Sequence, residues 1–192
     1  MSITKFKTVF ICLAGLSLSV PATVFAGAES GFYIGAGVGD ATVEADGTDP
    51  THGAYSFDGS DSAYKLFGGY NFGIVPFIDL AVEASYVDFG QPHSTFPSGE
   101  PIKLEVSGIN AYGLAGASFG PFGIFAKAGV IDWDSDTTFD STVASDSGTD
   151  PAYGLGVRLQ FGSFAVRAEY EYFDVNDLKD LSMYSVSAVY TF

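Results

Sequence analysis

Seven charged side chains fall on the polar faces of segments in which apolar and polar residues alternate. They are Lys65, Glu83, Lys127, Arg158, Arg167, Glu169 and Glu171. If the apolar faces point outward, these charges are enclosed, and enclosed charges must form ion pairs and hydrogen bonds with one another and with water. Two functions would use such a network: a packed polar plug that holds strands in register, or a gated narrow pore.

A second set of chemically active residues is acidic. Asp132, Asp134 and Asp136 follow the spacing that opens a calcium-binding loop. Such a loop has glycine at its sixth position and glutamate at its twelfth, where this chain has Thr137 and Val143. The three aspartates are therefore a weak metal candidate, and we predict no dedicated metal site and no cofactor.

Catalytic residues are poorly represented. His52 and His93 are the two histidines of the chain, and both are predicted to lie in loops. Ser94 follows His93 directly, so on a strand the two side chains would point to opposite faces. The sequence thus predicts no enzyme, and a lipid-modifying enzyme is the third of three functional interpretations.

Eight strand-like segments must position these residues. In the last of them, Tyr184, Val186, Ala188, Tyr190 and Phe192 alternate with Ser185, Ser187, Val189 and Thr191. Most segments have about the 9–11 residues that a tilted membrane strand needs. The predicted segments are 31–41, 62–72, 77–89, 104–119, 122–133, 152–161, 164–173 and 183–192.

The links between these segments alternate in length. Long polar links cover 42–61, 90–103, 134–151 and 174–182, whereas short ones lie near 73–76, 120–121 and 162–163. Long loops at one end and tight turns at the other are typical of outer-membrane barrels, with the long loops extracellular and the turns periplasmic. The predicted fold is all-β, an eight-stranded antiparallel up-and-down transmembrane β-barrel. Its interior is just wide enough for side chains, which favours the plug over the pore.

Two of the strands have an ambiguous inside–outside phase. In the fourth, either Tyr112 and Leu114 or the small residues Ala111, Gly113 and Ala115 could face lipid. In the fifth, Lys127 and Trp133 would lie on the same face of the strand. We expect the lysine in the interior and the tryptophan at the membrane interface, which would put them on opposite faces. A β-bulge between them would resolve the conflict.

Residues 1–26 are predicted to be a cleaved signal peptide, and residues 27–192 the barrel domain. Lys5 and Lys7 precede an apolar core at 9–20, and Ala26 ends a stretch suited to cleavage. The core is shorter than the roughly 20 residues of a spanning helix. Cys12, the single cysteine, lies inside it, so no disulfide is predicted for the barrel.

The charge balance excludes nucleic acid as a partner. The whole chain has a formal charge of −15, and without Lys5 and Lys7 it has 6 basic and 23 acidic side chains, or −17. Phosphate contacts need clustered lysine and arginine, which this composition does not supply. The predicted loops are instead a hydrated acidic surface, or one that Mg²⁺ or Ca²⁺ bridges to lipopolysaccharide phosphates.

Four motifs resemble those of a known family. They are Gly31-Phe32-Tyr33-Ile34-Gly35-Ala36-Gly37, Lys65-Leu66-Phe67-Gly68-Gly69-Tyr70, Glu83-Ala84-Ser85-Tyr86-Val87-Asp88-Phe89-Gly90 and the terminal aromatic strand. In this order the chain resembles the OmpA-type transmembrane domains and their small outer-membrane relatives. The resemblance implies a non-enzymatic integral protein of a Gram-negative outer membrane. Its implied role is envelope integrity and surface interaction or adhesion, with a low-conductance channel as the alternative.

The resemblance also suggests roles for particular residues. In the two-domain relatives an internal gate uses a carboxylate on the third strand and an arginine on the seventh, which Glu83 and Arg167 match. Arg158 stands where that gate has a carboxylate. Tyr184, Val186, Ala188, Tyr190 and Phe192 match the terminal strand that the barrel-assembly machinery reads.

The partners expected from these patterns lie in and around the outer membrane. They are the membrane lipid, lipopolysaccharide, the assembly machinery and a host or environmental surface ligand, with a monomer favoured. The aromatic loop residues that could anchor a surface contact are Tyr55, Phe57, Phe96 and Phe139.

Overall fold

The fold is a closed antiparallel β-barrel in a computed structural model of the chain. The structure describes residues 30–49, 53–75, 77–90, 93–95, 101–139, 142–175 and 180–192. Within these ranges, no helix is long and apolar enough to cross a membrane. The predicted signal peptide at 1–26 lies outside them.

Eight long strands and one short strand make up the sheet. They are β1 (Gly31–Asp49), β2 (Gly53–Val75), β3 (Ile78–Asp88), β4 (His93–Thr95), β5 (Pro101–Phe119), β6 (Phe122–Phe139), β7 (Thr142–Phe161), β8 (Phe164–Phe173) and β9 (Asp180–Thr191). The long strands pair in the order β3-β2-β1-β9-β8-β7-β6-β5, and β3 pairs with β5 to close the ring. The predicted eight-stranded up-and-down barrel is therefore confirmed.

Several strands extend further than their sequence pattern predicted. The pairing of β1 with β2 continues to Asp49 opposite Gly53, and that of β6 with β7 continues to Phe139 opposite Thr142. The predicted links 42–61 and 134–151 are thus mostly β-hairpin, which corrects the prediction of long loops. Backbone pairing continues here although water replaces lipid on the outer face, so the apolar alternation that marks a membrane strand is lost. His93 was likewise predicted in a loop but belongs to β4, which pairs with β5.

Two glycines shape the tight turns at the opposite end, which we call the turn end; the end with the long hairpins is the hairpin end. Gly120 and Gly162 take positive φ angles of 62° and 60°. Each is the first of two central residues, the position that a type II′ hairpin turn gives to glycine. The turns therefore hold Phe119 opposite Phe122 and Phe161 opposite Phe164.

The outer surface of the barrel has the pattern of a membrane belt. Each long strand presents outward apolar residues over about nine positions, which at about 3.3 Å per residue and a tilt of about 40° gives roughly 20–25 Å. That height matches the apolar band of outer-membrane barrels. Exposed aromatic side chains border the belt at the turn end (Phe32, Phe119, Phe122, Phe161, Phe164, Tyr190 and Phe192) and at the hairpin end (Tyr64, Tyr86, Tyr153 and Tyr184).

The interior is filled in three layers. At the hairpin end lies an apolar layer, built mainly from Val43, Val87, Phe89, Val106, Ile131, Trp133, Phe173, Leu181 and Met183. The charged side chains form the middle layer. A smaller apolar layer follows toward the turn end, formed by Tyr33, Phe67, Ala81, Ala165 and Val189.

The structure decides both ambiguous phases. On β5, Ala111, Gly113 and Ala115 face outward, whereas Tyr112 is buried inside. On β6, Lys127 and Trp133 both face inward, and the register with β5 and β7 runs without a break between them. The predicted bulge is therefore wrong, because the apolar inner layer accommodates the indole ring.

Candidate functional site: the charged layer of the lumen

Three cations and three carboxylates meet in the middle of the barrel. Glu169 lies at the centre, since it contacts Lys65, Lys127 at 2.8 Å and Arg167 at 2.5 Å. Glu171 bridges the two lysines, with Lys65 Nζ at 2.6 Å and Lys127 Nζ at 2.7 Å. These side chains are at most 5% exposed, so their charges are compensated by one another and not by bulk water.

Glu83 completes the layer from the other side. Arg167 Nη1 donates a hydrogen bond to its Oε2 at 2.7 Å, and the hydroxyl of Tyr33 donates to the same oxygen at 2.9 Å. Lys127 Nζ lies 3.6 Å from its other carboxylate oxygen. The structure thus pairs Glu83 with Arg167, the two residues that the family resemblance singled out.

Aromatic rings hold the Arg167 guanidinium in place. Its central carbon lies 4.8 Å from the ring centroid of Phe67 and 4.6 Å from that of Phe125, distances at which a cation is attracted to a ring face. The far end of each ring lies beside a glycine: a Cβ on Gly35 would collide with Phe67, and one on Gly156 with Phe125. Glycines on the inner face therefore make room for the aromatic bracket.

Arg158 does not belong to this layer. It lies nearer the turn end, where its Nη2 donates to Asp79 Oδ2 and to Ser118 Oγ, both at 2.8 Å. Ser118 also donates to Asp79, which ties β3, β5 and β7 together. Of the seven predicted lumen charges, the structure brings six together and gives the seventh its own partner.

Sequence reasoning missed several members of the site. Tyr33 hydrogen-bonds to Glu83, and Tyr112 places its ring 4.4 Å from Lys127 Nζ. Asp79 is the partner of Arg158. Strand alternation could have identified Asp79 as a lumen residue, because it is four residues before Glu83 on β3 and so lies on the same face.

The weak metal candidate does not form a loop. Asp132 and Asp134 lie on the extended strand β6 and point outward, and Asp132 accepts a long hydrogen bond of 3.4 Å from Thr149. Among the described residues, no group of three or more histidine, cysteine, aspartate or glutamate side chains could hold a metal ion. The side chains of Asp136, Tyr55, Phe57 and Phe139, and the whole of Phe96 and His52, lie outside the described part of the chain.

The five terminal-strand residues that the family resemblance suggested as an assembly signal all point away from the lumen. Tyr184, Val186 and Phe192 are strongly exposed, and Tyr190 packs edge to face against Phe164 and Phe192 at 5.0 Å. The register opposes Ala188 to Ala36 of β1 and to Val166 of β8. β9 thus pairs with the first strand, β1, on one side and with β8 on the other.

A closed eight-stranded barrel with an apolar belt, two aromatic borders and a charged interior defines the class of transmembrane outer-membrane barrels. The sequence agrees: residues 8–192 match the family of the outer membrane protein beta-barrel domain, and the chain belongs to that family. It is an integral protein of a Gram-negative outer membrane. No curated protein matches the chain.

Solved structures share the fold. The Ail protein of Yersinia pestis, solved in complex with the heparin analogue sucrose octasulfate, has a TM-score of 0.58 at 20% identity, with 85% of this chain and 99% of that chain covered. Neisserial surface protein A has a TM-score of 0.60 at 16% identity, covering 85% and 98%. The N-terminal barrel of Pseudomonas aeruginosa OprF has 0.50 at 11%, covering 85% and 100%. At these identities the likeness concerns the fold.

Proposed function

We propose that this chain is a non-enzymatic, non-conducting barrel that anchors β-hairpins on the cell surface for envelope integrity and surface interaction. The observation that carries the proposal is the filled lumen. The charged layer is neutral, with Lys65, Lys127 and Arg167 facing three carboxylates, and the apolar layer behind it includes Ile131 and Leu181, both fully buried. A permeating ion would have to displace both layers.

Planar lipid bilayers test this proposal directly. We expect the purified protein to give no steady unitary currents at moderate salt, because the ion pairs of the charged layer and the side chains of the apolar layer would both have to move. Reproducible unitary currents would favour the alternative, a low-conductance channel. Ala152→Asp places a charge in the apolar layer and tests whether that layer is what prevents ions from crossing the lumen.

The orientation of the barrel is part of the proposal: hairpins outside the cell, tight turns in the periplasm. We expect proteases or inserted tags at 45–60 and 138–150 to be accessible on intact cells, because these hairpins extend past the aromatic border of the belt. Sites at 73–76 and 162–163 should be shielded until the outer membrane is opened. The reverse accessibility would contradict this orientation.

The charge at the hairpin end indicates what kind of surface partner to expect. Exposed carboxylates point outward there, namely Asp40, Glu105, Asp132 and Asp134. Four of the six basic residues after position 26 are the lumen cations. The other two are Lys103 and Lys179. A polyanion of the heparin type, as in the Ail complex, does not suit this surface. We propose a cationic partner, and lipopolysaccharide contact through bridging Mg²⁺ or Ca²⁺.

The amount of lipopolysaccharide that co-purifies with the extracted protein measures this bridging. If divalent ions link these carboxylates to lipid phosphates, a chelator should lower the amount of lipopolysaccharide that co-purifies, and Asp132→Asn with Asp134→Asn should reduce it without a chelator. Asp79→Asn removes a carboxylate that lies in the lumen at the turn end, paired with Arg158, and as a control it should leave the co-purified lipopolysaccharide unchanged. If neither treatment lowers the amount of co-purified lipopolysaccharide, the bridging proposal is contradicted.

A further inference from the structure

A groove runs along the outer wall of the barrel on β5 and β6. Its floor consists of small residues at successive outward positions of both strands, namely Ala111, Gly113, Ala115, Ala126 and Ala128. The register places Gly113 beside Ala128 and Ala115 beside Ala126, so the small residues of the two strands form one continuous floor. Outward side chains that would fill this part of the belt are therefore missing from two neighbouring strands.

Larger side chains form the wall of the groove on the β7 side. Tyr153 and Leu155 of β7 stand beside the alanines of β6, and Tyr172 and Tyr170 of β8 lie behind them in the next strand. These residues and the floor line a groove with a volume of about 610 Å³. Tyr170 also packs against Tyr184 of β9, with the ring centroids 4.6 Å apart, which holds the wall in place.

The groove occupies the half of the belt nearer the hairpin end. Its floor begins near the middle of the belt, where Ile124 is 58% exposed on the turn side, and it ends at the border residue Tyr153. The floor is two strands wide, or about 10 Å at the usual strand spacing. Lipid surrounds this surface, and an unfilled hollow would lose dispersion contacts, so close packing decides what occupies it. A flexible hydrocarbon chain of the hairpin-side leaflet has the required width and polarity.

A second feature of the same two strands lies just beyond the groove. Asp132 and Asp134 follow Ala128 on the outward face of β6, and Glu105 lies on the outward face of β5. Asp132 is four residues from Ala128, which is about 13 Å along the strand. These are carboxylates at which we placed the bridging Mg²⁺ or Ca²⁺ and the lipid phosphates. The groove and the carboxylates therefore suit the two ends of one phosphorylated lipid.

We propose that the groove binds an acyl chain of the lipopolysaccharide whose phosphates are bridged to Asp132 and Asp134, so that one lipid is held at two points. The inference rests on the proposed orientation, which puts the hairpin end, and with it the groove, in the outer leaflet. Lys127 and Gly154 also line the groove. The bound chain therefore covers the barrel wall at the height of the charged layer.

Lipid titration of the purified protein in detergent micelles, with a chelator present, tests the groove separately from the bridging. We expect purified lipopolysaccharide to shift the methyl resonances of Ala126 and Ala128 saturably. The methyl resonance of Ala36 should move little. Ala36 points outward at a similar depth on β1, across the ring from β6, but it lies between Ile34 and Val38 and has no groove beside it.

A variant that fills the groove provides the second measurement. Ala126→Leu with Ala128→Leu should lose the lipopolysaccharide that still co-purifies after chelator treatment, because the added side chains occupy the place of the acyl chain. Ala36→Leu adds the same side chain on the opposite wall and should retain that lipopolysaccharide. Leucine keeps the belt apolar, and heat-modifiable migration on gels checks that each variant is folded.

The possible failures have different meanings. Chelator-resistant lipopolysaccharide that remains on the groove-filled variant, or equal shifts at Ala36, would overturn the groove and leave the cation bridging and the non-conducting barrel intact. Saturable shifts with phosphatidylethanolamine and none with lipopolysaccharide would overturn the choice of lipid. Shifts that follow the protein concentration, and not the lipid, would show that a second copy of the barrel occupies the groove and would overturn the proposal.

Discussion

Glu169→Leu is expected to lower the free energy of unfolding by about 3–5 kcal/mol, the range for breaking a buried ion-pair network by removing one partner. Glu169 contacts all three cations of the charged layer. Without it, Lys65, Lys127 and Arg167 face two carboxylates in a site that bulk water does not reach. The measurement is the urea midpoint of unfolding in lipid vesicles, with heat-modifiable gel migration as a second readout.

Two further variants separate charge balance from the loss of one side chain. Adding Lys127→Met to Glu169→Leu restores equal numbers of cations and carboxylates, so the double variant should be more stable than the sum of the two single changes predicts. Glu105→Leu removes an exposed, outward carboxylate and should change stability by less than about 0.5 kcal/mol. Equal losses for Glu169→Leu and Glu105→Leu would show that the charged layer does not stabilise the barrel.

Val186→Arg is expected to reduce the folded protein in outer-membrane extracts severely. Val186 points outward near the middle of the belt, opposite Val38 and Ala168. An arginine on the lipid face costs about 2–4 kcal/mol at the bilayer midplane and about 0–1 kcal/mol near the interfaces. The measurement is the heat-modifiable fraction of the protein in the extract.

Ser182→Arg is the matched control, because Ser182 lies on the same strand and the same face but beyond the Tyr184 border. It should leave most of the protein folded, and equal damage from both changes would contradict the proposed depth of the belt. Phe192→Ser tests the prediction, made from the family resemblance, that β9 carries the assembly signal. It should slow assembly in cells while the purified variant still folds into lipid vesicles, and equal impairment in both settings would argue against a signal.

Much of the fold could be predicted from the sequence, because strand alternation and turn chemistry are local. Strand alternation places Tyr184 and Val186 on one face and Ser185 and Ser187 on the other, whatever the strand pairs with. Gly162 adopts the positive φ of its turn independently of distant residues. The alternation of apolar and polar residues also predicted that Glu83 and Glu169 would face inward, and both are buried. Local rules therefore determined the strands, most of their faces and the class of barrel.

Register and interior packing were decided by the tertiary structure alone. Ser187 faces inward as its parity predicts, yet the register places it opposite Arg167, so a second arginine there would meet a like charge. Trp133 is on the inner face because the hairpin-end half of the lumen is apolar and provides Asp150 to accept its indole N–H at 2.7 Å. Which charges meet and which apolar side chains pack beside them depend on residues far apart in the chain, and closure of the barrel brings them together.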